Sequence, residues 1–462
     1  MRIKRTRLIL LFCVLFSALS LCGCSLRTLL LGKNRIDSVI TDTQTEADKN
    51  IIHQSINFNG YEWTICMPWA SEYIPNGDDT QRDKKLSDLY DNIGSLYNVN
   101  ITIKQSSGLQ DYMTMAFAGR SSADVIGISA REIVPLAVNN FIYSVEDPVM
   151  LAAGLNFEDN TKWYKDISRL VTWNNKQWAV QIGSTYDIPE FGSFILYRYS
   201  IEEKLQIDSL INMVKAGQWT NEKYFELSQQ AEGSDKAIKS TMLLDGALPI
   251  LANSGQMVRE KDGVWQNSVK DSQTIDAISI LEKFKKLKCS ATEPSPEAVE
   301  EFCEGNIAFL WTNSDTLLEY PCILDVDGGC GILPIPNDSG TNFACPVCSY
   351  SGYGFMTTNE SLNKSVTVFN KLAEKVSEDW FSFYIKKTGL DNKSIEMLDL
   401  ILPNKVFNNA KFNNKFEDIF NQHISTPILK NGKSVEDITE RASHAMDKAI
   451  SQLNLKNKTG GT

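Results

Sequence analysis

Residues 61–128 restrict the fold more than any other part of the chain, because short apolar segments alternate there with segments of helical periodicity. We interpret Tyr61–Met67, Val99–Ile103 and Asp124–Ile128 as strands. The intervening segments, 79–97 and 109–118, are predicted helices. This order predicts a parallel sheet with right-handed crossovers. Ligands bind such sheets beyond the carboxyl ends of the strands, so residues that directly follow strands are the first candidates for a site.

The second half of the chain continues the α/β pattern after a break at 183–189. It predicts further strands at Phe194–Tyr199, Ile307–Trp311, Gly331–Pro334 and Tyr353–Met356, and helices near 221–232, 272–288, 296–304, 365–387 and 434–453. A single core rarely grows beyond about 250–300 residues, so a chain of 462 residues predicts at least two domains. The net charge of −11 argues against a nucleic-acid partner.

The first residues predict export. A basic start precedes Leu8–Leu21, an apolar run that is shorter than the roughly 20 residues of a membrane span. The end of this run, Leu21-Cys22-Gly23-Cys24, resembles a bacterial lipobox. The resemblance implies removal of residues 1–23 and attachment of lipid to Cys24, which would anchor the chain to the outer face of the cell membrane. A plain signal peptide cut nearby and a short uncut anchor remain alternatives. The polar residues 24–58 are interpreted as the lipidated cysteine and a tether.

The cysteine pattern predicts neither a metal site nor a cofactor. Seven cysteines would remain free of lipid after processing, and an odd number leaves at least one thiol without an intramolecular partner. Cys345 and Cys348 form a single C-x-x-C pair, whereas a zinc site needs further ligands at similar spacing. The chain contains only three histidines. The pairing of the seven cysteines stays open at this point.

Five stretches, in a characteristic order, resemble the family 1 extracellular solute-binding proteins, which are the carbohydrate-binding components of bacterial ABC importers. They are Ala-Asp-Val-Ile at 123–126, Gly-Gln-Trp-Thr at 217–220, Phe-Cys-Glu-Gly-Asn-Ile-Ala-Phe at 302–309, Cys-Gly-Ile-Leu-Pro-Ile-Pro at 330–336 and Ser-Ile-Glu-Met-Leu-Asp-Leu-Ile at 394–401. Together they span most of residues 59–410. The chain departs from the family pattern at Tyr197-Arg198-Tyr199, at Asn221-Glu222, and at Ile335 and Asn337. These departures bear on the ligand more than on the fold.

The resemblance implies a type 2 periplasmic-binding-protein fold, with two α/β lobes around a cleft and hinge crossings between them. By motif, the N-lobe would comprise 59–182 and 329–376, and the C-lobe would comprise 183–328 and 377–462. The implied function is capture of a small saccharide by hinge closure, followed by delivery to the permease of an ABC importer. The implied protein is a monomer and not an enzyme.

Residues that would contact the ligand are predicted from strand ends and from the hinge. Aromatic rings suit the apolar faces of a sugar, while carboxylates, amides and guanidinium groups suit its hydroxyls. The predicted contacts are Trp69, Glu72, Ser129, Arg131, Glu132, Tyr186, Asp187, Glu190, Trp311, Asn313, Asp315 and Tyr353. The same residues have ordinary structural alternatives: Trp69 as a packed rim aromatic, and Glu132 as an acid favoured at a helix start.

Three other functions stay open. A binder of a peptide or an organic cation would use the same fold, since a pocket of tryptophan and acids can hold a cation. A sensor lipoprotein that passes the loaded state to a kinase would carry the same motifs. A secreted glycoside hydrolase is disfavoured, because its paired carboxylates cannot be recognised among 57 acids and the chain has no G-x-S-x-G, H-E-x-x-H or P-loop motif.

Overall fold

The computed structural model describes residues 56–77, 80–159, 162–234, 239–291, 296–323, 325–377 and 380–459. The predicted leader, Cys24 and the tether up to residue 55 lie outside the described residues. In the part of the chain that is described, no helix combines the length and the apolarity needed to cross a lipid bilayer.

The strands begin and end as follows: β1 (Tyr61–Met67), β2 (Val99–Gln105), β3 (Val125–Ser129), β4 (Thr172–Trp173), β5 (Lys176–Gln177), β6 (Ser193–Arg198), β7 (Lys239–Leu243), β8 (Val258–Lys261), β9 (Val264–Asn267), β10 (Cys289–Ala291), β11 (Ile307–Asn313), β12 (Cys330–Leu333), β13 (Cys345–Val347), β14 (Ser351–Gly354) and β15 (Lys405–Phe407).

The α-helices begin and end as follows: α1 (Thr80–Tyr97), α2 (Leu109–Phe117), α3 (Ala130–Val138), α4 (Pro148–Ala152), α5 (Lys165–Ser168), α6 (Ser200–Leu205), α7 (Leu210–Lys215), α8 (Asn221–Ser234), α9 (Leu248–Ala252), α10 (Ser272–Phe284), α11 (Pro296–Cys303), α12 (Thr316–Glu319), α13 (Leu362–Val376), α14 (Trp380–Thr388), α15 (Asn392–Ile401), α16 (Asn414–Phe420), α17 (Thr426–Leu429) and α18 (Val435–Thr459).

The first lobe is built on a four-stranded sheet with the order β14-β3-β1-β2. Strand β1 pairs in parallel with both β2 and β3, which confirms the parallel order predicted for residues 61–128. Strand β14 adds to β3 in the antiparallel direction. Helix α13 packs on this sheet, and the indole N–H of Trp63 donates to the backbone oxygen of Ser365 at 3.2 Å. The carboxyl ends of β1 and β3 therefore lie at the same edge.

The second lobe contains a five-stranded sheet with the order β10-β7-β11-β6-β12. Strand β12 pairs with β6, for example at Gly331 opposite Tyr197. The assignment of residues 329–376 to the N-lobe is therefore wrong for Cys330–Leu333, which belong to the second sheet. Motif position could not show this, because β12 is antiparallel to β6 and its partner lies more than 130 residues earlier.

Two described segments of the chain cross between the lobes. The first crossing leads through residues 183–192 into β6, and the second joins β13 to β14 through 348–350. Helices α13 and α14 are separate, whereas the sequence predicted a single helix over 365–387. Gly192 of the first crossing has no side chain, and an added Cβ would collide with Sγ of Cys345 in β13. The first crossing therefore packs directly against the strand that leads into the second.

Two hairpins also touch across the cleft. The tip of β4–β5 in the first lobe contacts the tip of β8–β9 in the second. The amide of Asn175 donates to Asp262 Oδ1 at 2.7 Å, and the backbone N–H of Asn174 donates to Glu260 Oε1 at 3.1 Å. Asn175 and Asp262 both have positive φ, as turns of this tight type require. We call this pair of tips the hairpin clasp.

Candidate functional site

A cavity of about 820 Å³ lies where the two lobes meet. The first lobe contributes the turn from β3 into α3, and the second contributes the ends of β7 and β11 together with residues 408–430. Both the first and the second crossing border it. The volume falls within the roughly 300–1,000 Å³ of small-molecule sites. The cavity is therefore the candidate functional site.

Five of the residues predicted from the sequence line this cavity. They are Ser129, Arg131, Glu190, Asn313 and Asp315. Ser129 and Arg131 stand at the start of α3, and Asn313 is the last residue of β11. Both positions are carboxyl ends of strands, as the rule for α/β sheets expects. The guanidinium of Arg131 is exposed and reaches across the cleft to Oδ1 of Asn414 at 3.4 Å.

Glu190 links the crossing segments to the cavity. Its carboxylate accepts the backbone N–H of Cys348 at 2.6 Å and the side-chain amide of Asn313 at 3.3 Å. The side chain is 2% exposed. Because these bonds join the first crossing to the second and to β11, Glu190 is a hinge residue as well as a lining residue. Loss of its carboxylate would leave two donors without this acceptor.

The cavity also contains a charged group that the sequence did not predict: Asp245, Lys411 and Glu417. Burial by itself would lower the pKa of the Lys411 ammonium. The carboxylates of Asp245 and Glu417 outweigh that effect, so the pKa of Lys411 is raised and the side chain stays charged. Glu417 forms an ion pair with Lys411, and Asp245 Oδ1 accepts the backbone N–H of Ala247 at 2.8 Å.

One signal for this group was present in the sequence. Thr241–Leu244 is followed by Asp245-Gly246, which is the pattern of a strand that ends in a turn. The strand β7 was not predicted, so its carboxyl end was not considered. No such signal precedes Asn408, Lys411 or Glu417, which reach the cavity from short helical segments with little periodicity.

The rest of the cavity lining mixes aliphatic with uncharged polar side chains. Among the described residues that line it, only Tyr350 and Phe420 are aromatic. The hydroxyl of Tyr350 donates to the backbone oxygen of Ala179 at 3.2 Å, so it is held from the first lobe. The aliphatic side chains in the lining are Ala130, Leu243, Leu244, Ala247, Leu248, Ile250, Leu251, Met257, Ala410 and Leu429.

The other predicted contacts lie outside this cavity, and three of them pack within the first lobe. The indole N–H of Trp69 donates to the hydroxyl of Tyr353 at 3.2 Å, and the two rings meet edge to face at 5.8 Å. Tyr353 is buried in β14. Glu72 is buried in the short turn that follows Trp69.

Tyr186 and Asp187 belong to the first crossing. The ring of Tyr186 packs 6.3 Å from that of Tyr73, and the backbone N–H of Asp187 donates to Ser184 Oγ at 3.3 Å. Trp311 is fully buried in the second lobe, where its indole N–H donates to the hydroxyl of Tyr224 at 2.8 Å. The rings of Tyr186 and Trp311 thus pack within the protein, and Asp187 is buried.

Glu132 closes two helix starts. Its carboxylate accepts the backbone N–H of Ser129, before α3, at 2.6 Å and that of Leu109, the first residue of α2, at 3.0 Å. Helix N-termini attract anions because their N–H groups are unpaired and the dipole is positive there. In this chain the carboxylate of Glu132, which is buried, already occupies that position.

Among the comparisons with known proteins, only the comparison with solved structures finds matches, and these matches support the fold. No model of a protein family matches the chain. No curated protein matches it by sequence. Solved structures do match, and the sugar-binding protein MalE of Xanthomonas citri has a TM-score of 0.63 at 10% identity, covering 86% of this chain and 99% of its own.

Two further structures agree. A substrate-binding protein of Listeria monocytogenes in complex with cycloalternan has a TM-score of 0.56 at 13% identity, over 85% of this chain and 99% of its own. UgpB of Mycobacterium tuberculosis in complex with glycerophosphocholine has a TM-score of 0.59 at 12% identity, over 86% of this chain and 99% of its own. The chain has the periplasmic-binding-protein fold. This confirms the fold that the sequence motifs predicted.

Proposed function

We propose that the chain is an extracellular solute-binding protein that captures a small saccharide between its lobes. The observation that carries the proposal is the cavity between the two sheets, because side chains of both lobes line it. A ligand that contacts both lobes binds best when they are together, so binding shifts the population toward that arrangement. The proteins of similar fold include sugar-binding ones from Xanthomonas citri and Listeria monocytogenes.

The chemistry of the cavity supports an uncharged polar ligand. Arg131, Asn313, Asp315, Asn408 and Asn421 offer donors and acceptors suited to hydroxyl groups. The charge of Lys411 is balanced by neighbouring carboxylates. The starts of α2 and α3, where a phosphate or carboxylate would bind, are taken by Glu132. A neutral saccharide fits this arrangement better than an anion does.

One observation favours a second candidate, an organic cation. The described lining residues include four acids, Glu190, Asp245, Asp315 and Glu417, against three bases, Arg131, Lys411 and Lys430. The protein from Mycobacterium tuberculosis with the same fold holds glycerophosphocholine, so the fold itself does not require a sugar. A ligand with an ammonium group would use the acids of the cavity.

The rest of the proposal concerns the cellular setting. We place the chain on the outer face of the cell membrane through lipid on Cys24, supported by the basic start, the short apolar run and the lipobox-like Leu-Cys-Gly-Cys. Two or more acyl chains on one residue give stable anchoring. The partner that would receive the ligand is the permease of an ABC importer. The protein acts as a monomer and without catalysis.

A thermal-shift screen of the chain from residue 25 tests the proposal against saccharides, amino acids, peptides and polyamines. A ligand that binds only the folded state stabilises it by about 2.7 kcal/mol at 100 times its Kd. We expect a saccharide to raise the Tm and to be recovered intact. The shift should disappear in Lys411→Met and persist in Lys415→Met, a control that changes an exposed lysine outside the cavity lining. Cleavage of the sugar would establish a hydrolase, and a response to polyamines alone would establish the second candidate.

A further inference from the structure

Two cysteines of the second lobe lie side by side at its surface. Sγ of Cys303 and Sγ of Cys322 are 3.2 Å apart. Cys303 is the last residue of α11, and Cys322 lies in the short turn Pro321–Ile323 that packs against this helix. Cys322 is exposed and Cys303 is partly exposed. Both residues are thus at least partly accessible, and their sulfur atoms stand about 1 Å beyond the length of a disulfide bond.

The other thiols are placed differently. Cys330 directs its sulfur to the backbone oxygen of Ile323 at 3.3 Å. Cys345, Cys348 and Cys66 are buried. Within the described residues, no cluster of three or more histidine, cysteine or acidic side chains is arranged to hold a metal ion. The close sulfur contact is therefore not accounted for by a metal site there.

We propose that Cys303 and Cys322 form an intramolecular disulfide bond when the protein is exposed to an oxidising environment. The inference goes beyond the proposed function and requires no ligand. Export provides the setting in which disulfides form and persist. The C-x-x-C pair, although it attracts attention in the sequence, is not the pair that the structure brings to the surface.

The bond forms by two thiol–disulfide exchanges with an oxidised low-molecular-weight disulfide. The exposed thiolate of Cys322 attacks one sulfur of the reagent, which releases one reagent thiolate and leaves a mixed disulfide. The thiolate of Cys303 then attacks the Cys322 sulfur and releases the second thiolate. Two protein thiols are oxidised, one reagent disulfide is reduced, and the two thiol protons pass to the released thiolates.

The second step should be the slower one. Burial, and next to it the neighbouring Cys322 sulfur, raise the pKa of Cys303 to about 12. Only a small fraction of Cys303 is therefore thiolate at neutral pH, and the rate of exchange depends on that fraction. Burial likewise raises the pKa of Cys330 to about 11, which disfavours it as a competing nucleophile.

The bond would also brace the candidate site. The segment that it closes, 303–322, contains β11 and the following turn, which carry Asn313 and Asp315 of the cavity lining. Closing a loop of this length lowers the conformational entropy of the unfolded chain, which stabilises the folded state relative to it. For a protein of this size we expect the Tm of the oxidised form to exceed that of the reduced form by about 3–4 °C.

The test compares the purified full chain in mild detergent after treatment with oxidised glutathione and after treatment with dithiothreitol. Free thiols are then alkylated with iodoacetamide, and peptides are mapped by mass spectrometry without reduction. We expect a linked pair of peptides that contain Cys303 and Cys322, two hydrogens lighter than the separate peptides. The linked pair and the Tm increase should both be present in Cys330→Ser and absent in Cys322→Ser.

Cys303→Ser serves as a second variant should Cys322→Ser fold poorly, because either substitution removes the bond. Full alkylation of both cysteines after oxidation would overturn the proposal. A link from either of them to Cys330 would overturn it as well. An unchanged Tm increase in Cys322→Ser or Cys303→Ser would show that the stabilisation has another source.

Discussion

The ends of β1 and β3 lie at the same edge of the first sheet, yet the structure uses them differently. The residues after β3, Ser129 and Arg131, line the cavity between the lobes. Trp69, after β1, instead turns its ring over Gly127 of β3 and donates to Tyr353. The same rule predicted contacts at both ends. The comparison teaches that the position after a strand determines at which edge of the sheet a residue lies. The residues around it in space determine whether its side chain faces solvent or packs.

Gly127 explains why the ring of Trp69 packs against the sheet. A Cβ on Gly127 would lie 2.9 Å from two atoms of the Trp69 ring and would collide with Cβ of Met67. Glycine therefore provides the space into which the indole fits, between β1 and β14. An apolar ring with a satisfied N–H gains more from that space than from water. Arg131 has no such recess and remains exposed.

The largest expected effect concerns the second tryptophan that was predicted to contact ligand. Trp311→Ala removes a fully buried ring that packs against Tyr224 and Phe284. We expect the free energy of unfolding to fall by about 3–5 kcal/mol, measured by urea denaturation. Trp69→Ala should cost less, since that ring is only partly buried. Equal losses for the two variants would contradict the packing roles described above.

Gly127→Ala tests the recess itself. The new methyl group must displace Met67 or Trp69, and overpacking of this kind costs about 1–3 kcal/mol. We expect a lower Tm together with a change in tryptophan fluorescence. The double variant Gly127→Ala with Trp69→Ala should recover part of the stability, because the ring no longer competes for the space. Additive losses would show that the glycine acts through Met67 alone.

Arg131→Ala sharpens the functional side of the comparison. A hydrogen bond to a charged group contributes about 1.5–3 kcal/mol, so we expect the Kd for the saccharide found in the screen to rise at least tenfold. Calorimetric titration measures the change. The Tm without ligand should stay nearly constant. Arg120→Ala, an exposed arginine outside the cavity lining, is the matched control and should leave the Kd unchanged. A greater loss of affinity in Trp69→Ala than in Arg131→Ala would reverse our comparison.

The smallest expected effect belongs to the hairpin clasp. Asn175→Gly keeps the left-handed backbone and removes the amide that donates to Asp262. One exposed hydrogen bond between the lobes contributes about 0.5 kcal/mol, so we expect roughly a twofold rise in Kd. Asp262→Asn keeps an acceptor oxygen and should behave like the unaltered protein. A tenfold rise in Asn175→Gly would mean that the clasp, rather than the cavity, dominates closure.

Much of the first lobe could be predicted because its signals are local. The predicted strand Tyr61–Met67 coincides with β1, and the helices that follow it begin within a residue of their predicted starts. Apolar periodicity over ten or more residues reports which face will be buried. The second lobe was harder. Its strand β7 was missed, and β12 was assigned to the wrong lobe, because the pairing partners of both strands lie far away in the sequence.

The amino-acid sequence by itself determined the α/β class, the parallel order at 61–128 and the presence of polar residues after β3 and β11. Those features depend on neighbouring residues, whose spacing specifies helix, strand and turn. Only the tertiary structure decided that Trp69 and Trp311 pack, that Asp245 and Lys411 meet in the cavity, and that Cys303 contacts Cys322. These outcomes depend on which distant segments compete for the same space, and no local pattern records that competition.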